Sequence, residues 1–205
     1  MHSYWRMSRH PVQLTIARAA RIPRIHVVIR LVLLLALGTI GCSSIYWFLY
    51  LALPALVAAV ITQKGGPRYL GDNAPKVVRV LRWFASAYGY LWLLTNDLPT
   101  SEGSHVDLQI AIGGAPTVAS ALLRLLTSLP ALLLVTAISL AAALAWLVAA
   151  AFVLAVERMP TMLADFLTLT LRVQFRMVAY HLSLVERYPS LEESLDAEPE
   201  RATSS

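Results

Sequence analysis

His181 and Glu186 are the neighbouring acid/base candidates in this chain, yet five residues of separation set them well apart around a helix, which argues against a shared proton transfer. The histidines are His2, His10, His26, His105 and His181, and no two have the spacing of a metal pair on one helix. GxSxG, HExxH, a phosphate-binding glycine loop and CxxC are all missing from the sequence. "IGGAP", residues 112–116, reads as a turn between a strand and a helix. The expectation is a protein that is not an enzyme and uses no cofactor or metal.

The polar chemistry that does have a pattern is helical. Counted at 100 degrees per residue, Lys76, Arg79, Arg82, Ser86 and Tyr90 share one face. Thr168, Arg172, Arg176, Tyr180, Ser183 and Arg187 share another. Lys76, Arg79, Arg82, Arg172 and Arg176 are therefore read as contacts to lipid headgroups or to a partner. A helix with this stripe suits the headgroup layer, because a central arginine costs at least about 2.5–3.5 kcal/mol in hydrocarbon. Trp83, Trp92, Tyr88 and Tyr90 favour the same depth. The alternative is a crossing helix whose arginines face a protein or water-filled interior. Gln174 and His181 lie opposite the arginines, among Met177, Val178, Leu184 and Val185. They form a candidate buried polar pair, serving a protein contact or lining a ligand site, since an unpaired polar group there costs about 1–3 kcal/mol.

The elements that must position these residues are apolar. The chain has 205 residues, 58% hydrophobic and 14% charged, far from the roughly 25% charged of soluble domains. Residues 31–63 and 125–156 contain no Asp, Glu, Lys, Arg or His, and each exceeds the roughly 20 apolar residues of a membrane crossing. No acidic residue precedes Asp72, while Arg6, Arg9, Arg18, Arg21, Arg24 and Arg30 precede the first stretch and Lys64, Arg68, Lys76, Arg79 and Arg82 follow it. Cations on both flanks predict a helical hairpin that returns to the cytoplasmic side, breaking at "GCSS", residues 41–44; one long tilted helix is the alternative. Cys42 sits after an apolar run in the manner of a lipoprotein signal, but Thr39 is a poor residue for that cleavage, so a buried free thiol is expected.

Two segments of the chain run in parallel. "VQLTI" at 12–16 and "VDLQI" at 106–110 both alternate as a one-faced strand does. Arg30 then corresponds to Arg124, Pro67 to Pro160, and Arg82, Tyr90, Leu94 and Pro99 to Arg172, Tyr180, Leu184 and Pro189. The expected fold class is all-α integral membrane, with two tandem pseudo-symmetric units, each a short strand, an apolar helical hairpin and an amphipathic interfacial helix. The expected organisation is a basic arm (1–10), unit one (11–99), a linker (100–104), unit two (105–189) and an acidic disordered tail (190–205). The two strands are expected to pair with each other.

"GGPRYLGD", "LRW" and "AYGYLWLLTNDLP", followed later by "MPTMLADF" and "AYHLSLVERYP", resemble a bacterial membrane family known as domain of unknown function forty-three eighty-nine. The likeness runs over both halves, from Pro11 to Pro189. It departs at "NDLP", where an aromatic before Pro99 is expected, as Tyr188 supplies before Pro189. The resemblance implies a small multi-pass protein of the bacterial cytoplasmic (inner) membrane and implies no activity.

With no ionisable residue inside either apolar stretch to mark an ion path, transport is the weaker alternative, and a lipid-active enzyme weaker still. The expected function is a non-catalytic accessory or scaffold subunit of a membrane assembly, both termini cytoplasmic. It would bind partner helices through its Ala-rich segment, "ALAWLVAAAFVLAV", and anionic lipid through its cationic helices, with no role in nucleic-acid binding.

Overall fold

Alternating side chains and strong helix formers build the elements seen in the computed structural model, which describes residues 10–41, 45–99 and 105–188. In chain order they are β1 (Val12–Ile16), α1 (Arg24–Gly41), α2 (Ile45–Lys64), a one-turn α3 (Gly66–Arg68), a π-helical segment (Tyr69–Asn73), α4 (Ala74–Leu91), β2 (Val106–Ile110), α5 (Val118–Val156) and α6 (Thr161–His181). The basic arm up to residue 9, Cys42, the linker 100–104 and the tail 190–205 lie outside the described residues.

The two strands fall where the alternation predicts. They pair antiparallel, with Leu14 opposite Leu108 and Val12 opposite Ile110. Val12, Leu14 and Ile16 point into the core, as do Val106 and Leu108. Beneath them pack Leu167, Leu171 and Phe175 of α6 and Val78, Leu81 and Ala85 of α4. The sheet thus lies across α4 and α6 and covers one face of both.

The second apolar stretch is not a hairpin. α5 is continuous over 39 residues, about 58 Å at 1.5 Å per residue. The reason is composition: it contains no glycine and is rich in Leu and Ala, the best helix formers, so Pro130 is accommodated within it. Thr117 starts it with a capping box, its side chain accepting from the Ser120 N–H while Ser120 Oγ accepts from the Thr117 N–H at 3.0 Å. Glu157, left-handed at φ 57°, ends it. In the first stretch α1 runs to Gly41 and α2 starts at Ile45, and residues 42–44 of the expected break at "GCSS" lie outside the described residues.

These observations correct the expected fold class. An all-α, multi-pass integral membrane protein of two repeated hairpin units is not what the chain forms. Among the described residues one segment, Leu132–Val156, is long and apolar enough to cross a membrane. A single such helix supports neither several crossings nor the placing of both termini on one side. The internal repeat of hairpin units fails on the same ground: α5 is one unbroken helix rather than a hairpin, and among the described residues a single segment is long and apolar enough to cross a membrane. A two-stranded sheet is also integral to the core rather than an appendage of either half.

Candidate functional site

The cationic stripe of α4 reaches solvent only in its first half. Lys76, Arg79 and Arg82 are exposed, whereas Ser86 and Tyr90 on the same face are buried. Arg82 Nε donates to the Leu108 carbonyl on β2 at 2.9 Å. The ion pairs among the described residues join Arg18 to Asp165 and Arg21 and Arg24 to Glu157, together with the His105–Asp97 contact, and leave Lys76, Arg79 and Arg82 out.

On α6 the expectation of an interfacial helix fails. Arg172 is 9% exposed and Arg176 is 3% exposed, and Arg176 Nε donates to the Val12 carbonyl at 3.3 Å. A two-stranded sheet leaves one edge of each strand without a strand neighbour. Arginines from the flanking helices reach backbone carbonyls on both strands, Arg82 on β2 and Arg176 on β1. The α6 stripe therefore faces protein, the alternative that the helical count left open.

Gln174 and His181 are not bonded to one another. Gln174 Nε2 donates to Ser139 Oγ of α5 at 2.8 Å, tying α6 to the apolar span. His181 is fully buried, with Nδ1 2.8 Å from the Met177 carbonyl and its ring edge-on to Tyr180. Nδ1 is thus the donor, and burial holds the imidazole below its ordinary pKa. His181 and Glu186 also part company: Glu186 Oε1 accepts from the Ala115 N–H at 2.9 Å and packs on Gly114.

Two buried arginines escaped the sequence-based list of sites. α4 and α6 each end in a turn closed by a left-handed residue, Leu93 at φ 64° and Ser183 at φ 55°. The Leu94 N–H reaches the Gly89 carbonyl and the Leu184 N–H the Ala179 carbonyl, both at 3.0 Å, the double-bonded C-cap usually built on glycine. Just beyond each turn an arginine caps the chain. Arg30 Nη2 donates to the Thr95 carbonyl at 2.8 Å, with its guanidinium against the Tyr90 ring; Arg124 Nη1 donates to the Val185 carbonyl at 3.0 Å and to that of Tyr180, beside the Tyr180 ring. Burial lowers both guanidinium pKa values, while the tyrosines act to raise them. The signal present in sequence was an arginine immediately ahead of each charge-free stretch, Arg30 and Arg124. What sequence lacked was the contact joining each arginine to its tyrosine.

An apolar groove of about 450 Å3 opens between α2, α4 and α6. Val80, Phe84, Val178 and Leu182 form its walls, and among the described residues Lys76 and Gln174 are its polar groups other than the Tyr88 hydroxyl. Nearby, the Tyr69 hydroxyl donates to the Leu182 carbonyl, and burial pushes its pKa up to about 12. No three of His, Cys, Asp and Glu stand together as a metal site among the described residues. Among the described residues the groove combines a largely apolar lining with one cation, Lys76.

Neither a curated protein nor a solved structure matches this chain. Residues 119–191, which hold nearly all of α5, all of α6 and the segment carrying Glu186, match the model described as Domain of unknown function (DUF4389).

Proposed function

We propose that this chain is a membrane-anchored, non-catalytic accessory subunit of an assembly in the bacterial cytoplasmic membrane, contacting partner helices and anionic lipid. The observation that carries this is a leucine stripe on α5. Leu133 (68% exposed), Leu140 (66%), Leu144 (61%) and Leu147 (57%) lie along one side of the Leu132–Val156 span. An apolar face of that extent is costly in water and is at home in hydrocarbon or against another helix. Its other side carries Ala142, Ala149 and Val153, buried against the rest of the fold, so the helix is held by the domain while its leucines look outward. The exposed Lys76, Arg79 and Arg82 add attraction to an anionic surface, about 1 kcal/mol for each cation close to it.

The test is fractionation followed by mild-detergent purification of the full chain. The chain is expected to stay with membranes through alkaline carbonate washing and to bring down a stoichiometric partner. Replacing Leu140 and Leu144 together by Arg should release it into the wash. Recovery of the unmodified chain in the wash would refute the anchoring; a chain that purifies alone would refute the subunit role.

A further inference from the structure

We infer that the groove between α2, α4 and α6 holds one acyl chain of an anionic membrane phospholipid, with Lys76 engaging the headgroup. This rests on the membrane anchoring proposed above and adds a defined site to it.

Shape is the first argument. Along α4 the lining runs from Lys76 to Tyr88, about 18 Å at helical rise, so the space is long and suits an extended hydrocarbon better than a compact ring. Its volume of about 450 Å3 falls within the range of small-ligand sites. Access is the second: Val80 is 53% and Phe84 42% exposed, so apolar wall is open to the surroundings rather than sealed in the core.

Charge is the third argument. Among the described residues Lys76 is the only charged one lining the groove, and it stands at the end of the α4 wall opposite Tyr88. Arg79, one turn further along α4, is also exposed and strengthens the field for an anion. A zwitterionic headgroup would gain less from this end of the groove, and a wholly apolar ligand would leave the ammonium unused.

Position is the fourth. Gln174 lines the groove and donates to Ser139 Oγ, which lies within the Leu132–Val156 span. The groove is thereby fastened alongside the segment that enters the hydrocarbon, where acyl chains are at hand. That neighbourhood favours a bilayer lipid over an amphipathic segment from a water-soluble protein.

The experiment uses the full chain in phosphatidylcholine vesicles doped with phosphatidylglycerol bearing a photoreactive diazirine in its tail, or with phosphatidylcholine carrying the same tail. Adducts are mapped by peptide mass spectrometry. Label is expected on the outer leucines of α5 with either lipid. Label on peptides containing Val80 and Phe84, or Val178 and Leu182, should be stronger with phosphatidylglycerol. Lys76→Glu, at an exposed position, should cut that preference about fivefold or more. Val178→Trp should fill the groove and remove its label while α5 remains labelled in the same sample.

Label confined to α5 overturns the groove inference and leaves the anchoring intact. The same holds for groove label that is equal with the two lipids and indifferent to Lys76→Glu. Absence of label from α5 as well overturns the anchoring and the groove together.

Discussion

The guanidinium carbon of Arg30 lies 4.1 Å from the centroid of the Tyr90 ring. Arg30 has no exposed surface, and it reaches the Thr95 carbonyl and the Asn96 side chain just past the end of α4. Among the described residues no carboxylate pairs with this buried cation, and the Thr95 carbonyl, the Asn96 side-chain oxygen and the Tyr90 ring face replace part of the water it has lost. Arg30→Ala removes that cation, opens a cavity and strands the Thr95 carbonyl. We expect a loss of about 3–5 kcal/mol, read as a lower apparent melting temperature in detergent. Tyr90→Phe keeps the ring face and should cost much less. A double-mutant cycle of Arg30→Met and Tyr90→Leu should give a coupling of about 1–2 kcal/mol.

Gly114 is left-handed at φ 107°, and a Cβ there would lie 2.5 Å from Glu186 Oε1. Gly114→Ala should therefore destabilise by about 1–3 kcal/mol. Gly113→Ala is the control, because a Cβ at that position meets open space. Combining Gly114→Ala with Glu186→Ala should recover only part of the loss, since the backbone strain remains. Chemical denaturation of the three variants checks the order.

Ser183 and Leu93 occupy equivalent left-handed positions but should respond in opposite directions to glycine. Ser183 has a buried hydroxyl that lacks a hydrogen-bond partner, and glycine removes both it and the conformational penalty, for a gain of about 0.5–1.5 kcal/mol. Leu93 is 1% exposed in the core, so Leu93→Gly loses more packing than it relieves strain, a net cost of about 1–4 kcal/mol. Thermal melts of the two variants would decide, and equal signs would contradict this account.

His10 is 2% exposed, and its Nδ1 accepts the Val12 N–H at 3.1 Å, which requires the neutral ring. Burial first, then the nearby Arg176 and Arg187 charges, push its pKa from 6.5 down to about 4. The unfolded chain thus binds the proton more readily, so stability falls as pH drops through this window. His10→Gln keeps an acceptor and loses the titration. The stability difference between wild type and His10→Gln should therefore shift towards the variant on acidification from 6.5 to about 4. A difference independent of pH would exclude His10 as the source.

Local pattern was legible where one period or one residue type decides the outcome. The alternation in "VQLTI" and "VDLQI" located both strands. The same local logic misjudged α5, because charge-free length was read as two arms although nothing in residues 125–156 compels a turn. Helical phase likewise collected the arginines of α6 on one face without saying what that face meets.

The sequence by itself determined apolarity, strand phase and the cationic face of α4, because each depends on residue types within a few positions. Only the tertiary structure decided that the paired β1 and β2 cover α6, turning Arg176 from a surface cation into a buried carbonyl ligand. It also brought Arg30 to Tyr90 and Arg124 to Tyr180 and opened the groove beside Lys76. Those relationships join residues far apart along the chain, and a carbonyl or an aromatic ring can substitute for water around a cation only once packing has brought them into contact.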